Sequence, residues 1–133
     1  MRSALLLLTL LLAAIGAAAG KKAPESISSG RLLYRVHCES CHGEDGTGDG
    51  PMAEVLEIPP SDLTRLSREK DSKFPLDEVS EVIDGRREIR DHGTRTMPVW
   101  GMTFQDPDRD SNQEEEVQDR IRNLALYLRS IQR

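Results

Sequence analysis

Cys38-Glu39-Ser40-Cys41-His42 is the stretch that decides how this 133-residue chain is to be read. Two thiols with two residues between them, followed at once by an imidazole, form the C-x-x-C-H pattern of covalent haem attachment. The spacing has a chemical reason. A haem presents two vinyl groups on neighbouring pyrroles, and two thiols one helical turn apart can each close a thioether to one of them. His42 lies four residues after Cys38 on the same helical face, so its imidazole can reach the iron as proximal ligand. A bare C-x-x-C would leave a disulfide, half a zinc site or a redox dithiol open. The chain has no third cysteine, and its only distant histidine is His92. A thioredoxin-like dithiol would need a βαβ frame, and no strand pattern flanks the motif.

Working outward, the N-terminus reads Met1-Arg2-Ser3, an apolar run from Ala4 to Ile15, Gly16, and the small residues Ala17-Ala18-Ala19-Gly20. A basic start, an apolar middle and an A-x-A-like end make a secretory signal, with cleavage expected after Ala19 or Gly20. The rival is an uncleaved anchor, because no charge interrupts Ser3 to Gly20, about the shortest span of a bilayer. No cysteine near the cleavage site offers a lipid anchor. The expected organisation is a signal over 1–20, a polar linker over 21–28 and one domain over 29–133. Export to an oxidising compartment would make Cys38 and Cys41 disulfide candidates, but their spacing and the following His42 favour haem.

Composition agrees with that cofactor. Apolar residues are 37% of the whole chain but only about 30% once the signal is removed, thin for a domain that must offset its chain entropy by burial. The aromatic residues are Tyr34, Phe74, Trp100, Phe104 and Tyr127. A flat apolar macrocycle would supply the missing core. The net charge of −5 gives no reason to expect nucleic-acid binding.

Ser28 to Cys41 reads as a helix running into the motif, with Leu32, Leu33 and Val36 apolar and Gly30 one turn before Tyr34. Glycine inside a helix costs about 1 kcal/mol against alanine, so Gly30 points either to close approach by another backbone or to a frayed start. Gly43 to Gly50, closed by Pro51, is almost all turn residues. No strand precedes it and no Gly-Lys-Ser/Thr follows, so phosphate cradling is the weaker reading and backbone packed at a haem edge the better one. Met52 to Ile58 is short and apolar and stops at Pro59-Pro60. Ser61 to Thr64 reads as a turn or cap, and Arg65 to Lys73 as charged surface.

Phe74-Pro75-Leu76 opens a helix with Asp77 and Glu78 in its first turn, Val79, Val82 and Ile83 as its buried stripe, and Gly85 as its end. Arg86, Arg87, Arg90 and Arg95 then make a basic stretch leading to Met97-Pro98-Val99-Trp100-Gly101. Beyond an acidic loop, Ser111 and Glu114 have capping-box form. Val117, Ile121, Leu124, Leu128 and Ile131 recur at steps of three and four, an amphipathic helix too short for a coiled coil.

These residues resemble a class I c-type cytochrome over essentially the whole mature chain, in particular the small bacterial periplasmic monohaem type. Gly30 and Tyr34 ahead of C-x-x-C-H resemble the small residue and aromatic of that family's first helix. Leu124 and Tyr127 resemble the apolar-aromatic pair of its last helix, and the likeness implies that the two helices cross at Gly30. It implies an all-α fold of three to five short helices around one haem c, held by thioethers at Cys38 and Cys41. Pro51 resembles the family's proline whose carbonyl accepts the proximal histidine's other ring proton, which would fix the tautomer of His42. Met97, followed by Pro98 before the last helix, resembles the sixth ligand, with Met102, His92 and Met52 as rivals. His/Met ligation favours reduced iron relative to bis-His. Trp100 is expected to support the haem pocket, with Phe104 beside it, and His37 to point away from the iron.

The implied function is one-electron transfer between redox proteins, donor and acceptor, by a monomeric periplasmic carrier. It touches a membrane only through partners or an uncleaved N-terminus at the inner membrane. Two competitors are a five-coordinate haem gas sensor or peroxidase-like enzyme, and a fixed electron-transfer subunit of a membrane or dehydrogenase complex. The arginines before Met97 and the acidic stretch from Asp106 to Asp119 would make a dipolar surface able to steer encounter, or a merely solvated one.

Overall fold

The computed structural model describes residues 25–68, 70–86, 97–109 and 113–133. Among these residues there are helices and no strands, consistent with the expected all-α cytochrome c fold. No helix among them is long and apolar enough to cross a membrane. The signal segment over 1–20 and the first part of the linker lie outside them.

The helix expected over Ser28 to Cys41 starts earlier and ends sooner. Helix α1 runs Glu25–His37, so half of the expected linker is helical. At Cys38 the backbone turns to φ −118° and ψ −35°, and a separate one-turn helix, α2 (Glu39–His42), begins. The amide of Cys38 still donates to the Tyr34 carbonyl at 2.8 Å, and that of His42 to the Cys38 carbonyl at 2.8 Å. The ladder therefore passes through the bend, and both thiols and the imidazole share one turn.

Helix α3 (Leu76–Asp84) ends at Gly85, whose left-handed φ of +67° lets its amide return to the Glu81 carbonyl at 3.0 Å. Val79 and Ile83 are buried, but Val82 is 45% exposed. The three-residue stripe is thus corrected to two. Val82 precedes Ile83 by one position, about 100° around the helix, and so lies off the i, i+4 row that Val79 and Ile83 bury. Helix α4 (Trp100–Thr103) is a single turn.

Helix α5 (Glu114–Ser130) buries Val117, Ile121, Leu124, Ala125 and Leu128, while Ile131 falls just past its end and is partly buried. Each such aliphatic side chain contributes roughly 1.5–3 kcal/mol on burial, which makes this stripe the main support of the fold. The capping-box residue Ser111 lies outside the described residues. Gln113 stands at the helix start without capping it by its side chain, and the Glu114 carboxylate reaches Arg86 instead, at 2.7 Å.

The decisive packing is α1 against α5. A β-carbon placed on Gly30 would overlap the Asn123 carbonyl and come within 2.9 Å of Tyr127 Cβ, so only glycine lets the helices approach this closely. Tyr34 and Tyr127 pack with ring centres 5.2 Å apart, and Leu124 is fully buried beside them. Tyr34, Phe104 and the α3 and α5 stripes form the buried core, with Leu33, Cys38, Met97 and Trp100 at its margin. Leu32, Val36, Met52, Val55, Ile58 and Met102 remain exposed.

Candidate haem site

The two thiols are free and half-buried on the α2 turn. Burial, with Cys41 as a smaller cause, pushes the Cys38 thiol up to about 12. Redox dithiols work through a thiol whose acidity is enhanced, so this environment opposes the dithiol reading. Among the described residues no group of three or more His, Cys, Asp or Glu is arranged to hold a metal ion.

His42 is oriented from behind. Its Nδ1 lies 3.1 Å from the Ser61 carbonyl oxygen, and since a carbonyl can only accept, Nδ1 carries the proton. That leaves Nε2 as the lone-pair nitrogen, the form in which an imidazole binds iron. Burial lowers the affinity of His42 for a second proton, and the Ser61 bond opposes this in part, so the ring is held neutral. The family resemblance implies the carbonyl of Pro51 as this acceptor. The structure corrects that: Pro51 is exposed in the turn that follows the glycine loop, and the acceptor comes ten residues later.

Ser61 is placed by an arrangement that the sequence reading did not assemble. Asp62 caps the short 3-10 turn Leu63–Arg65 through Oδ1, which accepts from Thr64 N at 2.9 Å and Thr64 Oγ1 at 2.6 Å. These hydrogen bonds are the chief reason the Asp62 carboxyl lies below the usual carboxylate range. Leu63 N donates to the Gly46 carbonyl at 2.7 Å. Beyond the end of α5, Gln132 Nε2 donates to the Leu63 carbonyl at 2.7 Å and its Oε1 accepts from Ser67 N at 2.9 Å. The only sequence signal was the turn chemistry of Ser61-Asp62; nothing local marked Gln132.

The glycine loop folds back onto the motif, with Gly50 N and Met52 N donating to the Cys41 and Ser40 carbonyls at 3.2 and 2.9 Å. A β-carbon at Gly50 would come within 2.5–2.7 Å of those backbone atoms, so the loop lies flush against the cysteines. Gly43 adopts a φ of +82° that other residues avoid, and its carbonyl accepts from the buried Tyr34 hydroxyl at 2.6 Å. Tyr34 thereby joins the helix crossing to the haem loop.

Met97, Trp100 and Cys38 are each half-buried and pack against the core. Of the rival ligands, Met52 is exposed, His92 lies outside the described residues, and Met102 is 64% exposed, so it is not core. Trp100 and Phe104 pack on His37. Arg86 is no unpaired docking cation: it bridges Asp84 at 2.5 Å and Glu114 at 2.7 Å. Arg87, Arg90 and Arg95 lie outside the described residues. A polar cleft of about 500 Å³ is lined by Glu81, Asp84, Arg86, Glu114 and Gln118, side chains that largely bind one another.

The residues fit a covalent haem: two unpaired thiols on one turn, a neutral imidazole with its far nitrogen fixed, and a small core that leaves large apolar side chains exposed. Residues 25–111 match the family described as cytochrome c oxidase, cbb3-type, subunit III. The chain belongs to this family. It is therefore a c-type cytochrome, an electron-transfer protein whose cofactor is covalently bound haem c, and Cys38 and Cys41 are the two cysteines it has for the attachment. No curated protein matches the chain. The match of this cytochrome c domain ends before α5, although α5 supplies the larger part of the core.

Proposed function

We propose that this cytochrome is an exported, monohaem one-electron carrier whose iron is held by His42 and Met97. Bound haem iron supplies the chemistry by cycling between Fe(III) and Fe(II). The chain's own residues fix what surrounds it: Cys38 and Cys41 keep the group attached in both states, and Ser61 holds the tautomer of His42. Met97 supplies a soft thioether that favours the reduced state and leaves no open position for substrate. The observation that carries this reading is the Nδ1 bond of His42 to Ser61 beside two unpaired thiols. The secretory pattern of residues 1–20 supports a periplasmic location, with redox proteins as donor and acceptor.

The test is an optical spectrum in both redox states, for the parent protein and Met97→Ala. A six-coordinate low-spin spectrum in the parent, lost in the variant, is expected. Rapid carbon monoxide binding by the reduced parent would instead favour the gas-sensor or peroxidase-like reading. The family description favours a second arrangement, in which the same carrier is a fixed subunit of a membrane complex. Co-purification with a stoichiometric partner would distinguish it from a free shuttle.

A further inference from the structure

His37 is the last residue of α1 and directly precedes Cys38. Its ring centre lies 5.2 Å from that of Trp100 and 5.3 Å from that of Phe104, with the two aromatic rings stacked 5.7 Å apart. Its imidazole thus offers an aromatic surface to both rings. Burial first, and the nearby Arg120 guanidinium second, lower its affinity for a proton and keep the ring neutral. Arg120 is itself held, donating to the Phe104 carbonyl at 3.3 Å and to Glu116 at 2.7 Å.

The partners of His37 are what give it meaning. Trp100 opens α4 three residues after Met97. On another side of α4, a β-carbon at Gly101 would collide with the Asp84 carboxylate and stand 2.5 Å from Arg86 Nε, so that end of the segment is already braced by the Asp84–Arg86 pair. From the end of α1, next to the first cysteine, His37 packs against Trp100 and Phe104. A histidine serving only core packing would affect stability alone. One packed against the stacked Trp100–Phe104 pair, with Cys38 next in the chain, ties that pair to the turn that carries the cysteines.

We propose that His37 is a positioning residue for the sixth ligand, holding Trp100 and α4 so that Met97 stays at bonding distance from an iron attached through Cys38, Cys41 and His42. This rests on the reading of Met97 as that ligand. The experiment is a titration of the Fe(III) holoprotein with exogenous imidazole, which competes with a methionine for the sixth position, alongside the near-infrared methionine-to-iron band. Losing two aromatic contacts in His37→Ala should loosen Met97 and tighten imidazole binding roughly tenfold, with weakening of the band. His37→Phe should restore both to within about twofold of the parent, since a neutral aromatic surface is what α4 requires. His37→Gln, of similar size but not aromatic, should behave like His37→Ala and stands in for it if the alanine variant does not fold.

Unchanged imidazole affinity and an unchanged band in His37→Ala or His37→Gln, with only the melting temperature lowered, would overturn the proposal and leave a structural histidine. Met97→Ala separates the two readings. If it keeps the parent spectrum, Met97 is not the ligand and both readings fall. If it loses the spectrum while the His37 variants do not respond, only the positioning role falls.

Discussion

Replacing Gly30 by alanine adds one methyl group at the point where α1 and α5 cross. In an isolated helix the change would be favourable by about 1 kcal/mol, because alanine loses less backbone freedom than glycine. Here the new β-carbon would overlap the Asn123 carbonyl and come within 2.9 Å of Tyr127 Cβ. The first obstacle is backbone, which cannot rotate away as a side-chain tip can. Overpacking of this kind costs ~1–3 kcal/mol, and a rigid obstacle calls for the upper end, so the net loss is about 2 kcal/mol after the helical gain. For a domain of this size that corresponds to a fall of about 8 °C in melting temperature. Parting the helices would also disturb the Tyr34 ring and hence the hydroxyl bond that holds Gly43. Thermal unfolding of the holoprotein, followed by circular dichroism in the helix region, gives the answer. A Gly30→Ala variant as stable as the parent would mean that the helices do not meet at this residue, and the crossing would have to be abandoned.

Tyr34→Phe removes the buried hydroxyl bond to the Gly43 carbonyl while keeping the ring contact with Tyr127; a loss of about 1 kcal/mol is expected in urea unfolding, and no loss would mean that Tyr34 does not anchor the loop. Asp84 is held down to about 2, chiefly by its hydrogen bonds to Arg86 and then to Gln118. Its folded value lies below the ordinary 3.8, so its contribution is present above pH 4 and fades as pH falls toward 2. Because the Asp84 side chain is only partly shielded from water the effect is small, but the gap in melting temperature between parent and Asp84→Asn should narrow across that window, and a pH-independent gap would refute the assignment.

How far the sequence could be read depended on whether an interaction was local. The α5 stripe was legible because five apolar residues at helical spacing can satisfy only one buried face, and four of them are buried, with Ile131 just beyond the helix. Gly85 was legible because its stop signal acts within one turn. Gly30 admitted two explanations, and only the backbone of Asn123, far along the chain, decides between them. The reading failed at the His42 acceptor for the same reason. Any backbone carbonyl can accept a hydrogen bond, so nothing in the chemistry of Pro51 or Ser61 distinguishes them; the choice is made by the Asp62 cap and by Gln132, sixty-nine residues from Leu63 in sequence. Val82 was overcounted because periodicity marks a face without saying how wide a strip the neighbouring helix covers. The aromatic seat of His37 left no mark in the sequence, since a histidine beside a cysteine looks the same whether it packs or is solvated.

Everything in this site depends on Cys38 and Cys41 binding haem covalently. The most direct measurement is the intact mass of the polypeptide, made alongside haem-attachment machinery and then denatured in acidic acetone. A chain heavier than its own sequence by one haem is expected, with no haem in the acetone phase. A chain at its bare polypeptide mass, with the haem released into the acetone, would contradict it.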